Sequence, residues 1–309
     1  MTIMGLTDRP PRVLYLGTPG EFSRTPLLAL LAAGVEVCGV VVPAERRPTP
    51  APIAWLAPER PRSPLPIASP YLAPNIVHIA WERGIAAFEV GHLSDPTTTA
   101  TLADLRPDIA CVACFPWRIP AALLGLPPLG WLNVHPSLLP AYRGPAPLFW
   151  AFRNGENTTG VTIHFMDEEL DTGDIVAQAP LALPDGISGA ETDRMCATLG
   201  ARLLVETVQC LRRGTLERRA QPAGGSYYGW PSPADWTIST AWPARRAYNF
   251  MRGTDDWGRP YLVEAGGERL VLTSALSYTA DETTSAPFVR AEREVAIQFT
   301  PGVLRAMSR

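Results

Sequence analysis

Short apolar runs alternate with amphipathic stretches along the first two-thirds of the chain. Arg12–Gly17 reads as a buried strand that ends in the turn Gly17-Thr18-Pro19-Gly20. Residues 25–33 carry a helical pattern that stops at Gly34, and 35–42 form a second apolar strand. Strand, helix, strand is a βαβ unit, which predicts a parallel sheet with right-handed crossovers. Ten prolines between 43 and 74 (43, 48, 50, 52, 58, 61, 64, 66, 70 and 74) exclude a regular helix or a central strand there. The alternation then resumes. Residues 75–83 and 95–105 read as helices, the second with Pro96 in its first turn, and 85–90, 109–115 and 130–135 read as strands. Residues 145–154 follow as a helix, 160–166 and 175–183 as strands, and 190–211 as a long amphipathic helix. The predicted fold class is α/β, with a Rossmann-like, open and mostly parallel sheet.

A second pattern takes over near the end. Residues 215–233 are rich in Gly and Pro and read as a linker. Beyond them come a short helix (242–252), a hairpin of 260–265 and 269–278 across Gly266-Gly267, and further strand at 288–300. The expected organisation is a catalytic domain (1–214), a linker (215–233) and a small β-barrel-like domain (234–309).

Composition narrows the options. The chain has 309 residues, 46% hydrophobic and 18% charged, as an ordinary globular protein does. No apolar run reaches membrane-span length, and the N-terminus lacks a basic region followed by an apolar core. A cytoplasmic protein without a membrane partner is predicted. Five scattered cysteines fit a reducing compartment. Cys111 and Cys114 form a Cys-x-x-Cys inside a strand-like run, where residues three apart face opposite sides, so no redox pair is expected. Net charge is −3, so a globally basic nucleic-acid binder is not predicted and DNA is not an expected partner. All 27 basic residues are arginine, which excludes lysine Schiff-base chemistry and a lysine-bearing phosphate loop. Gly17–Gly20 is not a dinucleotide fingerprint. His78, His92 and His164 lack partners at ligand spacing in the sequence, and no metal site is predicted. His164 reads as part of an edge-like strand.

The chemistry concentrates in two stretches, Asn133-Val134-His135-Pro136-Ser137-Leu138-Leu139-Pro140 and Leu170-Asp171-Thr172-Gly173-Asp174. Asn133 and His135, two apart on a strand, point the same way, and Pro136 ends the strand. Asp171 falls between acidic residues and a Gly, in a stretch that reads as a tight loop. A His can exchange a proton, a carboxylate can orient its ring, and an Asn amide can donate to an oxyanion. Ser137 lacks the surroundings of a nucleophile elbow. The residues support acid–base and oxyanion chemistry on a carbonyl without an acyl-enzyme. They equally support a polar strand end with ordinary hydrogen bonds. Arg143 and Asp174 are read as structural.

The run Asn-Val-His-Pro-Ser-Leu-Leu-Pro-Ala-Tyr-Arg-Gly-Pro-Ala-Pro (133–147), followed by Gly160-Val161-Thr162-Ile163 and Leu170-Asp171-Thr172-Gly173-Asp174-Ile175, resembles the folate-dependent formyltransferase family, methionyl-tRNA formyltransferases above all. The resemblance is softer in the C-terminal part, through Ala234-Asp235-Trp236 and Asn249-Phe250-Met251-Arg252-Gly253. It implies the formyltransferase fold with an OB-like C-terminal domain. It implies transfer of a formyl group from 10-formyltetrahydrofolate to a primary amine, with Asn133, His135 and Asp171 as the catalytic set. Phe115, Trp117, Ile119 and Pro120, with Ser137, Leu138, Leu139 and Pro140, are then the folate-binding residues. The implied partners are folate and a tRNA acceptor, reached in part through Arg46, Arg47, Arg60 and Arg62 of the Pro-rich segment. A small-amine or amino-sugar acceptor, a formyltetrahydrofolate hydrolase and a non-catalytic binding module are the alternatives.

Overall fold

The structure, a computed structural model, describes residues 9–44, 51–58 and 74–309. Arg46, Arg47, Arg60 and Arg62 lie outside the described residues. The strands are β1 Arg12–Gly17, β2 Glu36–Pro43, β3 Ile53–Trp55, β4 Ala87–Val90, β5 Ile109–Ala113, β6 Trp131–His135, β7 Thr158–Phe165 and β8 Ile175–Ala182. They form one eight-stranded sheet in the order β3-β4-β2-β1-β5-β6-β7-β8. The pairs β4–β2, β2–β1, β1–β5 and β5–β6 are parallel, whereas β3–β4 and β6–β7 are antiparallel. The helices among them are α1 Glu21–Ala32, α2 Ile76–Glu82, α3 Pro96–Asp104, α4 Ala121–Leu124, α5 Pro147–Asn154 and α6 Gly189–Arg212. Side-chain caps set the starts of two of them. Asn75 caps α2 through Val77 N and His78 N, and Asp95 caps α3 through Thr97 N just before Pro96. Among its described residues the Pro-rich segment contributes β3, at the sheet edge, where a neighbouring proline deprives no central ladder of a donor.

Contacts divide the chain into two compact units. The first comprises residues 1–140, 161–179 and 196–224, and the second 141–160, 180–195 and 225–309. In the first, Leu14, Leu16, Val41, Phe88, Val90, Leu102, Val112 and Trp131 belong to one buried cluster. These strands read as near-continuous apolar runs because both faces of a parallel sheet are covered.

The second unit carries strands β9 Thr237–Ile238, β10 Tyr261–Ala265, β11 Glu268–Thr279, β12 Phe288–Ala291, β13 Glu294–Gln298 and β14 Val303–Ser308, and helix α7 Ala244–Gly253. Its six-stranded sheet runs β12-β13-β14-β11-β10-β9 and is antiparallel except at β9–β10. The expected hairpin forms across Gly266-Gly267, both at positive φ. The strand expected at 288–300 is two strands, because Glu292 turns the chain at φ 55°. The last strand, β14, pairs with both β11 and β13. The core of this unit is aromatic: Phe149, Trp236, Phe250 and Tyr261 pack at ring separations of 5.1 to 6.2 Å. Helix α5 joins it through Phe149 and Phe152, and Gly253 lets α7 approach, since a Cβ there would stand 2.4 Å from the Phe152 ring.

Candidate functional site

The pairing of β6 with β7 places Asn133 opposite His164 and His135 opposite Thr162. Alternation then puts all four polar side chains on one face of the strand pair. The other face is apolar. There Val134 and Val161 meet Gly200 of α6, where a Cβ would lie 2.6 Å from Val134 Cγ1. The polar face is nonetheless protected from water: His135, Thr162 and His164 are buried. Buried polar groups need partners, and these are found within the site.

Asp171 supplies the charge. Its Oδ1 lies 3.3 Å from Asn133 Nδ2, 3.6 Å from His135 Nδ1 and 3.5 Å from His164 Nε2. A carboxylate accepts and does not donate, so the Asn133 amide turns its nitrogen toward it. His164 Nδ1 lies 2.8 Å from the carbonyl oxygen of Phe165, which only accepts, so that nitrogen carries a proton. His164 Nε2 then stands 3.2 Å from Asn133 Nδ2 and accepts from it. Asp171 thus faces an amide and two imidazoles.

Asp171 reaches this face on a loop that doubles back along it. β7 is antiparallel to β6, so its end pairs beside the start of β6, with Met166 N donating to Trp131 O at 2.8 Å. The loop then folds back along the polar face. Asp167 Oδ1 accepts from Glu169 N (3.1 Å) and Thr172 Oγ1 (2.7 Å). Gly173 passes so close to Phe165 that a Cβ would sit 2.0 Å from its carbonyl oxygen. Phe165 N then closes the loop on the main-chain Asp174 O at 2.8 Å.

The loop after β6 is fixed through one hydroxyl. Thr162 Oγ1 donates to Ser137 O (2.7 Å) and accepts from Leu139 N (3.2 Å) and Gln178 Nε2 (2.8 Å). Gln178 also donates to Leu139 O at 2.9 Å. Ser137 and Leu139 are buried, whereas Leu138 and Pro140 are partly exposed. Residues 115–120 follow β5, the parallel neighbour of β6. Trp117 meets Phe115 edge-on at 5.6 Å, and Pro120 precedes the first turn of α4. Ile119 is buried in the core. Pro116, Trp117 and Arg118 line a cavity of about 460 Å³ with Gly91, His92, Leu93 and Ser94. That volume suits a small organic ligand. Just before it, burial pushes the Cys111 thiol up to about 12, so it stays protonated, while Cys114 is exposed beyond the strand end.

Sequence reasoning missed His164. It was read as part of an edge-like strand, but β7 lies between β6 and β8. Its partners are remote in sequence, 31 residues away at Asn133, so local spacing carried no signal. The alternation Thr162-Ile163-His164, polar on one face, was the available clue. Among the described residues, no group of three or more His, Cys, Asp or Glu side chains could hold a metal ion, and no helix is long and apolar enough to cross a membrane.

Comparison with known proteins bears directly on this arrangement. The formyl transferase domain model matches residues 64–208, which contain the whole set from Phe115 to Asp171. A methionyl-tRNA formyltransferase of Pelotomaculum thermopropionicum is 36% identical over 246 residues, covering 80% of this chain and 73% of that protein. The chain belongs to the formyl transferase family. A second methionyl-tRNA formyltransferase, from Chloroflexus aurantiacus, is 34% identical over 273 residues, 88% of this chain and 82% of the relative. The fold agrees. An N-formyltransferase of Helicobacter canadensis, solved with folinic acid and dTDP-3-aminofucose, superposes with a TM-score of 0.65. Its sequence identity is 15%, and the match covers 96% of this chain and 98% of that one. The chain is a formyltransferase with a Rossmann-like sheet and a second, C-terminal six-stranded sheet.

Proposed function

We propose that this formyltransferase moves the formyl group of 10-formyltetrahydrofolate to the amine of methionyl initiator tRNA. The donor follows from family membership and from the folinic acid bound by the Helicobacter canadensis enzyme. The acceptor follows from the names of the relatives. The observation that carries the chemistry is the convergence of Asn133, His135 and Asp171 on one buried strand face, with Asp171 Oδ1 3.3 to 3.6 Å from the other two.

The donor presents a carbonyl carbon open to attack by an amine. His135 and Asn133 steady the negative charge that develops on its oxygen. One bond of the Asn133 amide exchanges to that oxygen as it approaches, and hydrogen bonds of 3.2 to 3.3 Å are weak enough to allow it. Such a donor is worth about 3–4 kcal/mol. With Nδ1 turned to Asp171, His135 uses Nε2 to exchange a proton, and Asp171 stabilises the charged ring. A new bond joins the amine nitrogen to the formyl carbon, and the bond from that carbon to the folate nitrogen breaks. One proton passes from the amine to the folate nitrogen. Ser137 to Pro140, with Phe115, Trp117, Ile119 and Pro120, shape the pocket for the donor, within a catalytic domain read as 1–214.

Tetrahydrofolate release, measured with and without charged initiator tRNA, tests this reading. Release that requires the tRNA and leaves formyl on the methionine supports it. Release without any amine would instead make the protein a hydrolase.

A further inference from the structure

Gln221 stands 50 residues beyond Asp171, outside both motifs, in the segment that follows α6. Its side-chain nitrogen donates to the main-chain carbonyl oxygens of Asp171, at 2.7 Å, and Gly173, at 2.9 Å. An amide nitrogen carries two hydrogens, so one side chain makes both bonds at once. The segment is itself held beside the loop: Ile175 N donates to Arg219 O at 2.8 Å and Arg219 N to Ile175 O at 2.9 Å. Arg218 lies over the Phe165 ring, 3.3 Å from its centre.

The position that Gln221 grips is unusual. Asp171 has φ 57°, in the left-handed region that non-glycine residues seldom occupy. A residue stays there only where its surroundings over-determine it. Bonds between Asp167 and Glu169, Asp167 and Thr172, and Phe165 and Asp174 hold residues on either side. Gln221 acts on the main chain of Asp171 itself. Relaxation of that φ would swing the carboxylate away from His135 Nδ1, which it now meets at 3.6 Å.

We infer that Gln221 is a positioning residue for formyl transfer, holding Asp171 in the left-handed conformation that aims its carboxylate at His135. The inference rests on the reading of Asp171 as the partner of His135. Gln221 is partly exposed, so its loss leaves no large cavity and the fold should survive.

The test compares Gln221→Ala, Asp171→Asn and the double variant in the full-length protein, by single-turnover and steady-state formyl transfer and by thermal melting. Gln221→Ala is expected to lower kcat roughly 10- to 100-fold, as displacement of a catalytic group by about an ångström does. KM for the formyl donor should change little, and the melting temperature should stay close to wild type. In the Asp171→Asn background the same change should alter the residual rate by less than about twofold, because the group it positions is already gone. Wild-type kcat in Gln221→Ala, with Asp171→Asn inactive, would overturn the inference and leave the catalytic reading standing. An equal loss in both backgrounds would also overturn it, since Gln221 would then act elsewhere. A wild-type rate in Asp171→Asn would overturn the catalytic reading itself.

Discussion

His164 accepts a hydrogen bond from Asn133 across the β6–β7 pair, with Nε2 3.2 Å from the amide nitrogen. Its other nitrogen is committed to Phe165 O at 2.8 Å, so the ring can neither flip nor change tautomer without losing that bond. A residue on the second strand therefore fixes the direction in which the amide on the first strand faces. His164→Ala should lower kcat about tenfold, as loss of a supporting hydrogen-bond partner commonly does. KM for the formyl donor should hold. Steady-state kinetics at saturating acceptor measure this, and an unchanged kcat would remove His164 from the account.

Thr162 joins three partners through one buried hydroxyl. Thr162→Val keeps the shape and deletes the hydroxyl, and with it the bonds to Ser137 O, Leu139 N and Gln178 Nε2. A cost of about 1–3 kcal/mol is expected for the loss of these buried hydrogen bonds. The loop after β6 should loosen, raising KM for the formyl donor more than it lowers kcat. Denaturant melts and donor titrations would show both effects. Unchanged stability would mean that water or another side chain replaces the hydroxyl.

In the second unit, Asp185 gathers Arg245 Nε at 2.9 Å, Asn249 Nδ2 at 2.6 Å and the Tyr278 hydroxyl. Burial alone would raise its pKa, but the hydrogen bonds from Tyr278, Arg245 and Asn249 outweigh burial and the net shift is downward. A carboxyl depressed in the folded state stabilises the protein above its unfolded pKa of about 3.9, and that contribution is lost as pH falls through the folded value. Asp185→Asn should therefore melt earlier than wild type at pH 7, by an amount worth about 1 kcal/mol or less because the site is partly exposed to solvent. The gap should close below about pH 4. A gap that persists in acid would assign it to packing rather than charge.

Much of the fold was legible because apolar runs and turn residues agree locally. Gly34 ends α1, Asn75 and Asp95 start α2 and α3, and Gly266-Gly267 turns the β10–β11 hairpin. Strands β3, β9 and β14 escaped because they are defined by their partners rather than by their own periodicity. The candidate site was half legible. Asn133 and His135 share a strand face by alternation alone, and Asp171 was recognisable from its motif. The antiparallel run of β7 was not legible, and with it went His164 and the path of the Asp171 loop. Gln221 carries no local signal at all, since its function is a contact over 50 residues.

A tRNA acceptor has an electrostatic signature. Each neutralised phosphate releases counterions, so acceptor affinity should fall steeply with salt. With a net charge of −3, the protein must concentrate arginines locally to produce such a slope. KM for methionyl initiator tRNA, measured between about 50 and 200 mM salt, should rise by at least tenfold. A flat response would point to a small amine as the acceptor.

The most direct test of the central claim is formyl transfer by His135→Ala, read beside its binding of the formyl donor. The account predicts a folded protein that still binds 10-formyltetrahydrofolate but transfers formyl at least about 100-fold more slowly than wild type. Transfer at the wild-type rate by that variant would contradict the assignment of chemistry to the β6 strand end.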